Sequence, residues 1–238
     1  MAEKHITKFD LIKVFIRSNF LLGSFNFERM QSMGFCVALI PALRKLYSGE
    51  ELAAALRRHL EFFNTHPFLA KAIMGIIIAM EEKKANGADI PEATISGVKV
   101  GLMGPLAGVG DPIFWGTLRP MLAALGAGIA VSGSVAGPLL FFVVFNVIRL
   151  LINYFGVMYG YEKGTELVTE IGGDKIRYLT EGASVLGLFV MGALVAKWTS
   201  VNMPLVLSEY VAQDGTHVVT TLQSVLDNLM PSIVPLLM

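Results

Sequence analysis

One segment concentrates residues that can do chemistry inside an otherwise apolar part of the chain. Residues 101–116 read GLMGPLAGVGDPIFWG, with five glycines, two prolines, one acid and one tryptophan. An acid in apolar surroundings is a functional candidate because its burial is costly. We predict that Asp111 and Trp115 contact a polar substrate, with the indole as a stacking platform for a sugar ring. Alternatively, the glycines only allow close helix packing and Asp111 caps the helix that follows Pro112.

Two further clusters place polar side chains directly before apolar runs. Residues 24–31 read SFNFERMQ and residues 61–68 read EFFNTHPF. Carboxylates, amides and imidazoles can hydrogen-bond sugar hydroxyls. Under the alternative interpretation, Asn26 or Thr65 caps a helix and Glu28 forms an interfacial ion pair with Arg29. The candidates for substrate contact in these clusters are Asn26, Glu28, Asn64 and His66.

Other chemistry is poorly supported by the sequence. The phosphate-binding G-x-x-x-x-G-K-[ST] motif is absent, and the single cysteine, Cys36, excludes an intrachain disulfide framework. The four histidines are scattered without metal-ligand spacing, so we predict no metal and no cofactor. A phosphoryl-accepting histidine remains an alternative.

The composition is typical of an integral membrane protein. Of the 238 residues, 54% are hydrophobic and 16% are charged, and 19 basic residues balance 19 acidic ones. Ordinary soluble domains are about 25% charged. The absence of net positive charge also disfavours nucleic-acid binding. We therefore predict a chain that contacts the lipid bilayer and binds no nucleic acid.

The balanced charge conceals an uneven distribution along the chain. Residues 1–84 hold 12 of the Lys and Arg residues, residues 85–197 hold seven, and residues 198–238 hold none. Basic residues near membrane segments stay on the cytoplasmic side. We therefore predict a cytoplasmic N-terminus and an external position for residues 198–230.

The hydrophobic pattern predicts four segments. Residues 1–97 combine interfacial amphipathic helices with short apolar re-entrant segments, because their uncharged runs are too short to span a bilayer. Residues 98–200 form a membrane core with spans and a Gly/Pro-rich broken helix. Residues 201–230 form an external β-hairpin around Asp214-Gly215, and residues 231–238 begin an apolar C-terminal helix that we expect to be truncated.

Four motifs carry a resemblance to a known family: NFERMQ at 26–31, HLEFFNTHPF at 59–68, KVGLMGPLAGVGDPIFWG at 99–116 and EGASVLGLFVMG at 181–192. Together they resemble the D subunit (IID) of the mannose-family phosphoenolpyruvate-dependent sugar phosphotransferase system, nearest to the enterobacterial type of mannose permease. The resemblance extends from about residue 10 to the end.

The resemblance implies a non-catalytic membrane subunit of a phosphotransferase complex. Such a chain pairs with a IIC subunit in the bacterial inner membrane, in an oligomer with several IIC–IID pairs, and a cytoplasmic IIAB protein passes phosphate from its histidines to the incoming hexose. The D chain itself carries no phosphohistidine. Family members usually continue into a further apolar segment beyond the point where this sequence stops.

The resemblance also implies a fold: a mostly α-helical membrane protein with broken or re-entrant helices and a small external β-hairpin. Its architecture is a core that moves against a scaffold, with broken helices at the sugar site. The predicted hinge residues are Gly101, Gly104, Pro105, Gly108, Gly110, Pro112 and Gly116.

Two other functions stay open at this stage. A self-sufficient secondary transporter or channel needs more intramembrane ionisable groups than Asp111 to couple an ion. A structural adaptor differs only in lacking contact between the sugar and residues such as Glu28, Asn64 and Trp115.

Overall fold

The computed structural model describes residues 3–169, 205–211 and 217–229, together with single positions at 182, 185, 188, 189 and 192. The described part divides into two compact units, which lie within Met1–Gly187 and Leu188–Met238. The helices are α1 Lys8–Ser18, α2 Ser32–Leu46, α3 Gly49–His59, α4 Ala70–Ala85, α5 Glu92–Ile113, α6 Arg119–Ala130, α7 Ala136–Thr169 and α8 Leu222–Leu229; the strands are β1 Val206–Val211 and β2 His217–Thr221.

Within the described residues, two helical stretches are long and apolar enough to cross a membrane. The first runs from Glu92 to Ala130 through α5 and α6, and the second runs from Ala136 to Gly164 in α7. Only 17% of the most apolar window of each stretch is buried inside the chain. Most of their apolar surface therefore remains for lipid or another subunit.

The predicted broken helix takes a different form in the structure. The backbone stays helical from Gly101 to Ile113, with Pro105 and Pro112 inside α5, and the irregularity is a π-helical turn at Phe114–Leu118. In this turn the Arg119 N–H donates to the carbonyl of Phe114, five residues earlier. Because Pro120 has no N–H and its ring crowds the carbonyl four residues before it, a wider turn fits better than a regular one.

The core of the first unit is built by α2 and α4, which contain the two short apolar runs of the N-terminal third. Phe35, Leu39 and Leu43 of α2 pack with Ile73 and Ile77 of α4, and all five side chains are at most 1% exposed. α4 is buried on nearly every side, which explains why its sequence lacks an amphipathic pattern. The same core includes Val98 and Leu102 of α5 and Val157 of α7, so it continues across the predicted boundary at residue 97.

Small residues bring α4 and α7 into close contact. A methyl group at Gly160 would collide with the carbonyl oxygen of Ala72, and one at Gly75 would collide with the backbone of α7. Small-xxx-small spacing permits such approach between membrane helices. Gly160 thus marks where the two helix backbones nearly touch.

We expect Gly160→Ala to destabilise the first unit by about 1–3 kcal/mol, because the added methyl forces α4 and α7 apart. The matched control is Gly128→Ala in α6, where a methyl group meets nothing within 4 Å. There the higher helix propensity of alanine makes the change neutral or stabilising. Thermal unfolding of the purified membrane complex measures both, and equal shifts for the two variants would contradict the close-contact account.

The second unit contains the predicted β-hairpin. Strands β1 and β2 pair antiparallel, with Ser208 opposite Thr220 and Tyr210 opposite Val218, which confirms a hairpin in this region. The predicted turn at Asp214-Gly215 lies outside the described residues, as does the predicted C-terminal helix at 231–238.

Candidate functional site

An aromatic cluster forms where the second and third sequence motifs meet. Its members are His66, Phe68, Phe114, Trp115 and Phe145. The ring of His66 stacks on that of Phe114, with centroids 4.8 Å apart, and lies 5.5 Å from that of Trp115. Phe68 contacts both Trp115 and Phe145. The structure therefore brings together two predicted site residues, His66 and Trp115, that are 49 positions apart.

The close approach of His66 to α5 depends on Gly110. A β-carbon at this position would collide with Cγ of the imidazole and lie 2.5 Å from its Cβ. Gly110 therefore has a packing role that the sequence could not distinguish from a hinge. The π-helical turn that begins four residues later places Phe114 and Trp115 beside the same imidazole.

His66 is a buried hydrogen-bond donor that has no acceptor among the described residues. The residue is 1% exposed, and the Phe68 N–H donates to its Nδ1 over 3.3 Å. The remaining ring proton therefore lies on Nε2, and the part of the chain that the structure describes offers it no acceptor. Burial, reinforced by the positive charge of Lys71, lowers the pKa of His66 to about 4, so the imidazole is neutral at neutral pH.

Trp115 lies at the accessible side of this cluster, and Asp111 precedes it in the chain. The indole is 37% exposed and carries the guanidinium of Arg119 at 5.2 Å from its centroid. Asp111 lies four residues before it, is exposed, and forms no ion pair within the described residues. Because α5 continues to Ile113, Asp111 does not occupy the N-cap position that the alternative interpretation required.

In the first motif, the side chains of Asn26 and Glu28 make local contacts. Asn26 Oδ1 accepts the Arg29 N–H at 2.8 Å and stabilises a turn, while Glu28 is exposed and pairs with Arg29. Asn64 is exposed, and its backbone N–H contacts the sulfur of Met103. The Glu28–Arg29 contact is the ion pair of the alternative interpretation, whereas neither Asn26 nor Thr65 caps a helix, because the N-cap residues of α2 and α4 are Gln31 and Leu69.

Gln31 and Thr65 hold the first two motifs together, a role that the sequence analysis missed. The Gln31 amide donates to the Thr65 carbonyl at 2.7 Å, and the Gln31 backbone N–H donates to the carbonyl of Phe63. Thr65 Oγ1 in turn donates to the carbonyl of Met103 in α5. The loops before α2 and α4 are thereby attached to the helix that carries Asp111.

A buried charge network, also missed, connects α3 and α4. Glu81 is fully buried and accepts hydrogen bonds from Arg58 at 2.7 Å and from Tyr47 at 2.8 Å, with the His59 imidazole at 2.9 Å. Burial alone raises the pKa of Glu81, but the hydrogen bonds from His59 and Arg58 lower it to about 2. Lys99 of α5 donates to the carbonyl of Arg58, so the network also anchors the first long apolar helix.

No metal-binding constellation is found in the described part of the chain, where no three His, Cys, Asp or Glu side chains converge. The described site residues can recognise a ligand by ring stacking and by hydrogen bonding.

Comparison with known proteins identifies the family. Residues 5–238 match the family model of the IID component of the mannose/fructose/sorbose phosphotransferase system. The chain is 60% identical to the mannose-specific EIID component of Escherichia coli K12, over 100% of this chain and 84% of that protein. It is 58% identical to the fructose permease IID component of Bacillus subtilis, over 98% and 86% of the two chains.

A solved structure agrees with this assignment. A chain in the cryo-EM structure of the mannose transporter ManYZ with microcin E492 is 61% identical, with a TM-score of 0.78 over 99% of this chain and 86% of that one. The helical architecture with its small hairpin is thus a known transporter fold. The chain belongs to the mannose/fructose/sorbose family of phosphotransferase-system IID components, which are membrane subunits of bacterial sugar permeases.

Proposed function

We propose that this chain and a IIC partner together form the path by which a mannose- or glucose-type hexose crosses the bacterial inner membrane. A cytoplasmic IIAB protein phosphorylates the sugar as it arrives. The high identity to mannose-specific relatives supports this substrate class, and the association of the similar chain with a transporter complex supports a membrane partner.

The aromatic cluster is the main observation in support of contact between this chain and the sugar. Sugar sites combine an aromatic face with a few fixed hydrogen-bonding groups. Trp115 is 37% exposed, and the buried imidazole of His66 lies against it, with an Nε2–H that has no partner among the described residues and that a small shift of the ring would offer to a ligand. In the proposed complex the hexose stacks on Trp115, and Asp111 accepts a hydroxyl proton.

The remaining predicted site residues take a secondary place in this proposal. Glu28 and Asn64 are exposed beside the joined loops, where their side chains can reach a sugar entering along α5. Asn26 keeps this loop in shape through its bond to the Arg29 N–H. We therefore assign direct contact to Glu28 and Asn64 and a positioning role to Asn26.

The orientation and the transport movement belong to the same proposal. The excess of Lys and Arg in residues 1–84 supports a cytoplasmic N-terminus, and their absence after residue 197 supports an external position for residues 198–230. Several IIC–IID pairs assemble, and a core moves against a scaffold in each. The π-helical turn at Phe114–Leu118 is the natural point for α5 and α6 to change their mutual angle.

Reconstitution tests the proposed function directly. Vesicles that contain this chain and its IIC partner are expected to phosphorylate hexose only when IIAB and a phosphoryl donor are supplied. Full phosphorylation by vesicles with IIC and IIAB but without this chain would overturn the proposal. Uptake of free hexose by vesicles with this chain alone would instead identify a self-sufficient transporter.

We expect Asp111→Asn to lower hexose uptake at least tenfold while the IIC–IID complex still assembles. The substitution keeps the shape but replaces a charged acceptor by a neutral one, and hydrogen bonds to charged groups contribute about 1.5–3 kcal/mol. Uptake and co-purification of IIC are measured on the same membranes, with Asp89→Asn in the exposed loop before α5 as the matched control. Loss of assembly in Asp111→Asn would make this carboxylate architectural.

A further inference from the structure

Arg119 places a positive charge over the indole of Trp115. Its Cζ lies 5.2 Å from the centroid of the indole, and the residue is exposed. Side chains on a helix point back towards its N-terminus, which is why Arg119 reaches the ring four residues before it. The attraction is between the charge and the electrons of the ring, so it occupies none of the N–H groups.

The N–H donors of Arg119 have no acceptor and no acidic partner in the part of the chain that the structure describes. A guanidinium has five such donors and stays charged in proteins. Arg119 also lies within the stretch from Glu92 to Ala130, which is apolar enough to cross a membrane. A charge in such a stretch is costly and is therefore a candidate for function.

The π-helical turn at Phe114–Leu118 sets the direction of Arg119. After eight residues of a regular α-helix, at about 100° per residue, Arg119 would point about 80° away from Asp111. The π-helical turn holds one residue more than a regular turn. Arg119 therefore takes the direction of a seventh residue, about 20° from Asp111, while Trp115 lies about 40° from it. The turn brings an acid, an indole and a guanidinium to one exposed side of the helix.

This row of side chains complements the polar groups of a hexose. Asp111 and Arg119 are about 11–12 Å apart along the helix axis, with Trp115 midway between them. A sugar ring stacked on the indole has a carboxylate acceptor towards one end and a guanidinium donor towards the other. Hydroxyl groups both donate and accept hydrogen bonds, and the planar fork of a guanidinium can donate to two neighbouring oxygens.

We propose that Arg119 is a further hexose-contacting residue, whose guanidinium donates to two neighbouring hydroxyl oxygens of the sugar stacked on Trp115. In the sugar-free chain the guanidinium covers part of the indole. When the sugar takes this place, the exposed side chain turns from the ring to the hydroxyls. The inference rests on the proposed sugar site at Trp115, and it adds to that site a residue that selects the hydroxyl pattern of the hexose.

Equilibrium binding of sugars to the purified IIC–IID complex tests this contact, and IIAB is omitted so that no phosphoryl transfer takes place. The ligands are mannose and its monodeoxy analogues, each of which lacks one hydroxyl. Arg119→Gln is expected to weaken mannose binding about tenfold or more, as for hydrogen bonds to a charged group. It is expected to weaken one or two of the analogues much less, because the hydroxyl that Arg119 contacts is already missing from them.

Two further variants calibrate this measurement. Arg119→Lys keeps the charge but loses the planar fork, and its affinity for mannose is expected to fall in between. The matched control is Arg57→Gln on the exposed side of α3, which is expected to bind mannose like the unaltered complex. If Arg119→Gln does not assemble with IIC, Arg119→Lys repeats the comparison between mannose and the analogues, and the same selective pattern is expected.

Three outcomes overturn the role of Arg119. Unchanged mannose binding means that it makes no contact, and an equal loss for mannose and all analogues means that it only holds the indole in place. A loss confined to hexose 6-phosphate makes it a phosphate contact. Trp115→Ala separates this role from the proposed function: unchanged mannose binding in that variant refutes the sugar site itself. A loss in Trp115→Ala without a loss in Arg119→Gln refutes only the inference about Arg119.

Discussion

Replacing Glu81 by alanine is expected to destabilise the folded chain by about 3–5 kcal/mol. Glu81 is fully buried, and its carboxylate is the shared acceptor for Arg58, His59 and Tyr47. Removing one member of a buried ion pair leaves the other charge without compensation, which explains the large cost. The measurement is the thermal unfolding midpoint of the IIC–IID complex in one detergent.

Two controls separate the buried pair from its exposed neighbour. Arg58 also contacts Glu92 at 2.6 Å, but the Glu92 side chain is 58% exposed. Exposed ion pairs contribute about 0–1 kcal/mol, so Glu92→Ala is expected to have a small effect. Glu81→Gln is expected to lie between the two, because the amide preserves one acceptor. Equal destabilisation by Glu81→Ala and Glu92→Ala would refute the buried-network account.

The same carboxylate makes stability depend on pH in a defined direction. The pKa of Glu81 is lowered in the folded chain, from 4.5 to about 2, so its stabilisation is complete above pH 4.5 and is lost as the pH falls towards 2. Glu81→Gln removes this contribution. We expect the unaltered complex to lose more stability than the variant between pH 4.5 and the acid limit of the complex.

The sequence predicted local features better than long-range ones. The Val- and Thr-rich stretch with Asp214-Gly215 at its centre indicated the hairpin, because strand alternation and turn chemistry are local signals. The amphipathic patterns within residues 1–97 likewise indicated helices, and one of them is seen as α3 from Gly49 to His59. Such patterns report which face of an element is apolar and need no knowledge of the partner.

The buried network escaped prediction because its members are far apart in the chain. Arg58 and Glu81 are 23 positions apart, and each looks in sequence like an ordinary charged residue on a helix. The lysine at position 71 is equally inconspicuous, although its side chain is buried between α4 and α7. Only the packing of α3, α4 and α7 decides which of these charges leave water.

The form of the glycine-rich segment was not predictable from the sequence. The number of glycines and prolines indicated a break within residues 101–116, whereas the backbone stays helical to Ile113 and widens into a π-helical turn at Phe114–Leu118. A glycine weakens a helix by only about 1 kcal/mol relative to alanine, which tertiary packing can offset. Gly110 is present because His66 occupies the space of a side chain, and that fact requires the fold.

Gly110→Ala is therefore expected to impair transport more strongly than Gly97→Ala or Gly104→Ala in the same helix. Its β-carbon would collide with the imidazole of His66, and the ring must leave its stack on Phe114 or push α5 away. Overpacking of this kind costs about 1–3 kcal/mol, and we expect hexose uptake to fall at least tenfold. Gly104→Ala is the matched control, because a methyl group there meets nothing within 4 Å.

A double variant at positions 66 and 110 tests whether Gly110 acts through its contact with His66. His66→Gly is expected to reduce uptake alone, since it removes the imidazole that stacks on Phe114 beside Trp115. It also removes both the ring and the β-carbon with which the new methyl group would collide, so adding Gly110→Ala to it should change uptake and stability little. The expected coupling between the two positions exceeds about 1 kcal/mol, whereas distant sites add within about 0.5 kcal/mol. Purely additive losses would mean that Gly110 acts through backbone flexibility, and that the contact with His66 has no part in its effect.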